Sequence, residues 1–136
     1  MSLPAAQTPT PLSYRLAAIP MLGIANLLAR RAPLRLTLAI VRTLKAATRR
    51  RPLSRERAEA IIAARDWAAD HFPGRSACME SSLTAVLLAA STGHCVEWCI
   101  GCRFSPAESH AWIEVDQRPV GEPDTPDRPF HVTIRI

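Results

Sequence analysis

The chain has 136 residues, of which 48% are hydrophobic and 21% charged, the ordinary composition of a single globular domain with a modest core. Its net charge of +5 is divided unevenly, because residues 1–75 hold thirteen Lys/Arg against four Asp/Glu and residues 76–136 hold four against eight. Only 5% of the residues are aromatic, so the basic half lacks the interleaved rings on which nucleic-acid bases stack, and a nucleic-acid-binding role is disfavoured.

The amino terminus carries no secretory signal, because MSLPAAQTPTPLS is rich in proline and lacks a charged first segment. The longest uncharged apolar stretch, residues 16–29, has 14 residues and is interrupted by Pro20 and Gly23. That length is short of the roughly 20 residues needed to span a bilayer. We therefore expect a cytoplasmic protein with reduced thiols and no integral membrane span.

Three regions follow one another along the chain. Residues 1–11 are predicted to be a disordered tail. Residues 12–53 have apolar positions at helical spacing and many basic residues, which predicts a basic amphipathic extension of two helices divided at Pro33. Residues 54–136 are predicted to be the main domain.

The main domain starts with two helices. Ser54 is the expected N-cap of a helix that stops at Pro73-Gly74. A second, strongly apolar helix follows and ends near Gly93. Apolar residues then recur at every second position, which predicts strands over residues 95–104, 110–115, 118–120 and 131–136. Helices followed by an antiparallel sheet make an α+β fold.

Three of the four cysteines lie close together in HCVEWCIGC, where Cys95, Cys99 and Cys102 have a C-x3-C-x2-C spacing like that of a radical-SAM iron–sulfur site. A strand projects Cys99 and Cys102 to opposite faces of its sheet. A zinc site would also need a fourth ligand, which His94 supplies only if the segment is not a strand. We therefore predict small packing thiols and no metal here.

Cys78 has a different context, at the first turn of the most apolar helix. The positive end of the helix dipole and the unsatisfied backbone N–H groups favour a thiolate there, and a neighbouring N–H can stabilise an oxyanion. His110 follows a polar loop and opens a predicted strand, so it can face that helix start across the core and activate the thiol. Downstream carboxylates able to orient the imidazole are Asp116, Glu122 and Asp124.

Three strings, PGRSACMESSL, VEWCIGCRF and SHAWIEVDQRPVGEP, place a cysteine on a helix before strands that carry the histidine. This order resembles the transglutaminase-like, papain-related cysteine peptidases. Within them it resembles the leader peptidase of lasso-peptide biosynthesis, the second, peptidase part of the lasso B protein, here expected as a free-standing chain. The resemblance covers residues 55–126 well and residues 12–50 more loosely.

The resemblance implies a helix that carries the cysteine packed on a small antiparallel sheet, with Cys78 as nucleophile and His110 as base. The family usually has an aspartate twelve positions after the histidine, where this chain has Glu122, so Asp124 is the reserve for the third role. The implied reaction is hydrolysis at the leader–core junction of a ribosomally made lasso precursor peptide, without cofactor or metal. It would free the core amine for macrolactam formation in the biosynthesis of a peptide antibiotic.

The same resemblance implies three partners: the leader region of the precursor peptide, a leader-binding recognition-element protein, and a separate ATP-dependent lasso cyclase. The basic residues within 12–57 are the predicted docking surface for them.

Two other function classes stay open. A transglutaminase-type acyl transferase uses the same Cys–His pair with an amine in place of water. A non-catalytic protein-interaction module would use the basic helices and leave the thiol inert.

Overall fold

The computed structural model describes residues 11–48, 51–72, 77–104, 106–122 and 129–136. These residues form four helices followed by a four-stranded antiparallel sheet, so the predicted α+β fold class is confirmed. Predictions that concern residues 1–10, Arg49, Arg50, Pro73-Gly74 and Asp124 lie outside the described residues.

The first two helices are α1, Leu12–Arg31, and α2, Leu34–Thr48, and the predicted division at Pro33 is confirmed. Helix α1 runs unbroken through Pro20, as the prediction of a first helix that extends to Pro33 requires. A proline within a helix removes one backbone hydrogen bond, and packing of the α1 inner face on the later helices holds the two halves in line. At 20 residues, α1 is long and apolar enough to cross a membrane as judged by length and composition alone.

The next two helices form the centre of the core. Helix α3, Arg55–His71, starts at the predicted N-cap Ser54, whose Oγ accepts a hydrogen bond from the backbone N–H of Arg57 at 3.2 Å. Helix α4, Cys78–Ser91, is buried along most of its length, and Gly93 follows it with a φ of +79°, a conformation that suits glycine. Both helices therefore begin and end close to where the sequence predicted.

The sheet has the strand order β3-β2-β1-β4, with β1 Glu97–Arg103, β2 Glu108–Val115, β3 Arg118–Val120 and β4 His131–Arg135. Strands β2 and β3 are joined by a tight turn in which Asp116 and Gln117 have φ values of 52° and 62°. Strand β2 starts two residues earlier than predicted, so His110 is its third residue and not its first. Pairing of Arg103 with Glu108, whose side chains also form an ion pair, extends the ladder into the predicted loop.

The two faces of the sheet have different roles. One face packs on the helices, where Trp98 Nε1 donates a hydrogen bond to Ser82 Oγ of α4 at 2.9 Å. Ile113 pairs with Trp98 and lies on this core face. Because side chains alternate along a strand, His110 and Trp112 project from the opposite face. The candidate site is built on that second face.

Candidate active site

Cys78 is the first residue of α4 and is partly buried. The preceding N-cap residue, Ala77, has no side-chain oxygen, so it cannot cap the amide groups of the first turn. These amide groups are therefore available to bind a carbonyl oxygen or an anion at the start of α4. The placement predicted for Cys78 at the start of an apolar helix is confirmed.

His110 and Glu122 are in direct contact across the sheet face. The imidazole Nε2 lies 2.7 Å from Glu122 Oε2, and the two side chains are 25% and 20% exposed. A carboxylate only accepts hydrogen bonds, so Nε2 carries the proton and donates it. The neutral imidazole therefore has its basic nitrogen at Nδ1, the atom that can take a proton from a nucleophile.

Two aromatic rings pack against the imidazole. The ring centroid of Trp112 lies 5.8 Å from that of His110 in a stacked arrangement, and the centroid of Phe130 lies 5.1 Å away. The guanidinium of Arg103 sits 4.3 Å over the Phe130 ring. Because the centroids of Trp112 and Phe130 are only 5.9 Å apart, the three rings form one cluster, and this packing restricts the rotation of His110.

A cleft of about 890 Å³ opens over this face of the sheet. Its walls combine apolar rings with charges of both signs, and the described residues that line it include Arg55, Arg103, Glu108, His110, Trp112, Glu114, Arg118, Glu122, Phe130 and Val132. A cleft of this size can hold several residues of an extended peptide or a small-molecule ligand.

The structure brings two of the three predicted site residues into contact. His110 contacts Glu122, whereas Cys78 is not among the described residues that line the cleft. Helix α4 packs against β2, but through the core face, opposite to the face from which His110 projects. Asp116 lies exposed in the β2–β3 turn, and Asp124 lies outside the described residues. The catalytic roles of Cys78, His110 and Glu122 therefore stay predictions.

The cysteines of HCVEWCIGC lie on and just before β1, which is shorter than the strand predicted over residues 95–104. Cys99 is fully buried, whereas Cys95 and Cys102 are partly exposed, and the Cys102 sulfur is 4.0 Å from Thr133 Oγ1. Among the described residues, no group of three His, Cys, Asp or Glu side chains is arranged to hold a metal ion. His94 is half-buried, and its Nδ1 lies 2.9 Å from the carbonyl oxygen of Thr92.

A buried charged network under the cleft was missed by sequence reasoning. Glu114 is only 3% exposed and its Oε2 accepts a hydrogen bond from Trp112 Nε1 at 2.8 Å. Its Oε1 lies 3.1 Å from Nη2 of Arg135, which also approaches Glu97. The one signal for this network in the sequence was the alternation of HAWIEV, which places Glu114 and His110 on the same face of the strand. Burial of that face depends on segments that are distant in sequence.

Burial, together with the negative charge of the Glu114 carboxylate, raises the pKa of the neighbouring Cys99 thiol to about 12, although Arg135 acts in the opposite direction. Cys99 is therefore protonated at neutral pH and is not a nucleophile.

Comparison with known proteins agrees with this fold. The family model of the transglutaminase-like superfamily matches residues 21–135. No curated protein and no solved structure gave a significant match. The match includes α4 with Cys78, the strand with His110 and the position of Glu122. On this basis the chain belongs to the transglutaminase-like superfamily, which includes cysteine peptidases and acyltransferases.

Proposed function

We propose that this protein is a cysteine peptidase that removes the leader from a ribosomally made lasso precursor peptide. The observation that carries the proposal is the 2.7 Å hydrogen bond between His110 and Glu122, at the positions where the resembling peptidases have their base and its orienting carboxylate. The longer Glu122 side chain reaches the imidazole although the family usually has aspartate there. The pair presents Nδ1 as the base, and Cys78 stands where a helix start favours a thiolate.

The proposed reaction is amide hydrolysis in two steps. Cys78 Sγ, having given its proton to His110, attacks the carbonyl carbon at the leader–core junction, and His110 then gives that proton to the leaving amine nitrogen. The leader is left as a thioester on Cys78. Water, deprotonated by His110, attacks the thioester carbon, and the carbon–sulfur bond breaks to release the leader carboxylate and the thiol. Backbone N–H groups at the start of α4 stabilise the oxyanion in each step.

The partners and the setting are also proposals. The core amine that is released would be joined to an Asp or Glu side chain by the separate ATP-dependent cyclase, and a recognition-element protein would present the leader. Both reactions belong in the cytoplasm. The basic residues within 12–57 would dock these proteins, so changing Arg49, Arg50 and Arg51 to Glu should weaken a pull-down of the complex. Unchanged capture would count against this docking surface.

An acyl transferase is the second candidate, because the superfamily includes this chemistry and the same Cys–His pair serves it. An amine would then attack the thioester in place of water. Mass spectrometry of the products separates the two outcomes, because hydrolysis adds the mass of water across the cleaved bond whereas transfer adds the amine.

The decisive experiment incubates a candidate precursor peptide with wild type, Cys78→Ala and Glu122→Gln, with and without the recognition protein. We expect Cys78→Ala to abolish cleavage. Glu122→Gln should lower the rate by roughly 10²-fold or more, since an amide neither stabilises the imidazolium nor enforces the tautomer. The matched control is Cys102→Ala, which removes a partly exposed thiol from β1 and should cleave as wild type does.

Two results would overturn parts of the proposal. Cleavage that survives in Cys78→Ala would refute the nucleophile. A fully active Glu122→Gln would transfer the orienting role to another carboxylate. Iodoacetamide labelling near pH 6 addresses the non-catalytic alternative, because selective modification of Cys78 requires an activated thiolate and uniform slow labelling indicates an inert one.

A further inference from the structure

The outward face of α1 is apolar along almost its whole length. Leu12, Leu16, Ile24 and Leu27 are 66%, 58%, 43% and 57% exposed. On a helix of 3.6 residues per turn, these residues fall within one continuous stripe together with the exposed Pro20 and Gly23. Leucine and isoleucine exposed together in one stripe form a surface that water solvates poorly.

The opposite face of the same helix belongs to the protein core. Ala18, Leu22 and Ala25 are buried against α3 and α4. A helix that is apolar all round is normally enclosed by protein or by lipid, yet α1 is enclosed by this chain on one side only. Because its inner face is held in the core, α1 can lie along an apolar phase but cannot cross one without leaving the fold.

Along the sequence, the charges that accompany this stripe have one sign. The first acidic residue of the chain is Glu56, so residues 1–55 contain ten Lys/Arg and no carboxylate side chain. Arg30 and Arg31 occupy the last turn of α1 at the end of the stripe. Exposed Leu34 and Arg35 at the start of α2 continue the same mixture of apolar and basic side chains.

We propose that α1 docks the protein on the surface of an anionic lipid bilayer, with its outward face lying in the interface. The stripe is aliphatic and has no tryptophan, tyrosine or buried polar anchor of the kind that carries protein–protein binding energy. An apolar helix face flanked by arginines is the pattern of helices that lie in the plane of a membrane, where the arginines contact lipid phosphates. The cleft with His110 lies on the sheet face that points away from the helices and stays open to a soluble peptide.

Vesicle flotation tests this inference with the full chain. The protein is mixed with vesicles of phosphatidylcholine alone or with about one third phosphatidylglycerol, at two salt concentrations. We expect the protein to float with the anionic vesicles. Flotation should be weaker in high salt, and weaker with the neutral vesicles. Leu16→Gln/Leu27→Gln should lower the apparent affinity by more than about tenfold for each leucine removed. Arg30→Gln/Arg31→Gln should lower it by about fivefold for each arginine.

Matched controls lie on the cleft side of the molecule. Arg55→Gln/Arg118→Gln removes the same charge as the Arg30/Arg31 pair, and Val132→Gln removes an exposed apolar side chain from β4. These variants should float as wild type does. Failure of wild type to float with anionic vesicles would overturn the inference, and so would equal flotation of Leu16→Gln/Leu27→Gln. In a further outcome, wild type fails to float and is a dimer that Leu16→Gln/Leu27→Gln converts to a monomer. That result would assign the stripe to contact with a second copy of the chain and would also refute membrane docking.

Discussion

The imidazole of His110 is held by Glu122 at its Nε2 atom and by packing with the rings of Trp112 and Phe130. A base held in this way loses little conformational entropy when it transfers a proton, because its orientation is already set. Burial also strengthens the hydrogen bond from Nε2 to the carboxylate, since little water competes for it. The pair is therefore suited to stabilise a transient imidazolium.

Cys99 belongs to the cysteine cluster whose spacing is like that of a metal site, and in the structure it is a buried packing thiol. It is fully buried next to Glu114, and its pKa of about 12 lies well above the ordinary value of 9.0. Between those two pH values the native protein keeps a thiol proton that the unfolded chain loses. The free energy of unfolding therefore has its full contribution from Cys99 below pH 9 and loses it as the pH rises toward 12.

We predict that Cys99→Ala flattens the alkaline side of the stability profile. The wild-type free energy of unfolding should fall more steeply with pH than that of the variant above about pH 9, by at most about 1.4 kcal/mol per pH unit. Urea titrations of both proteins over this range measure the difference. Cys102→Ala is the control, because its thiol is partly exposed, and its profile should follow wild type. Parallel curves for wild type and Cys99→Ala would contradict the prediction.

At the scale of elements, β1 is the strand on which the sheet depends, since it pairs with both β2 and β4. Gly101 is in the middle of β1, opposite His110. A side chain at this position would clash with the carbonyl oxygen of His131, and its Cβ would lie 2.8 Å from Trp112 Cη2. Glycine at this position lets β4 approach and lets Trp112 lie flat over the strand.

Gly101→Ala should destabilise the protein by about 1–3 kcal/mol, because β4 or Trp112 must move to make room. It should also lower any activity that depends on His110, whose ring stacks with Trp112. Chemical denaturation with and without the substitution gives the stability change. Gly23→Ala is the matched control, because nothing lies within 4 Å of the added methyl group, and it should be neutral or slightly stabilising in α1. Equal effects of the two substitutions would exclude the steric explanation.

At the scale of the whole molecule, the amino-terminal helices share one core with the rest of the chain. Ala18, Leu22 and Ala25 of α1 and Val41 of α2 belong to the same buried cluster as the residues of α3, α4 and the sheet. The division of the chain into two domains between residues 53 and 54 stays a prediction. The backbone also ties that boundary to the sheet, because Leu53 donates a hydrogen bond to the carbonyl oxygen of Cys95 at 2.9 Å.

If the core is shared, Ala18→Leu should destabilise the entire chain and not a separate amino-terminal unit. Ala18 is fully buried, so the larger side chain must push α1 away from its neighbours at a cost of about 1–3 kcal/mol. We expect one cooperative urea transition, followed by tryptophan fluorescence, at a lower midpoint than wild type. The exposed Ala63→Leu serves as the control and should leave the midpoint nearly unchanged. A second, separate transition in Ala18→Leu would show that the helices unfold independently.

The local elements of this fold were predictable because their signals are local. Ser54 as an N-cap, the start of α4 at Cys78, the strand of Trp98 and the turn at Asp116-Gln117 each follow from side chains a few residues apart. Helical spacing also predicted α1 across Pro20, but it did not show what stabilises the helix at the proline. That stabilisation depends on packing against helices that lie more than 30 residues further along the chain.

By itself, the sequence determined the helices and strands, the location of Cys78 at a helix start and the presence of a carboxylate twelve positions after His110. Only the tertiary structure decided that Glu122 reaches Nε2, that His110 projects from the sheet face opposite the helices, and that one side of α1 is left uncovered. The physical reason is that periodicity says which residues share a face, whereas strand register and helix packing decide what that face meets.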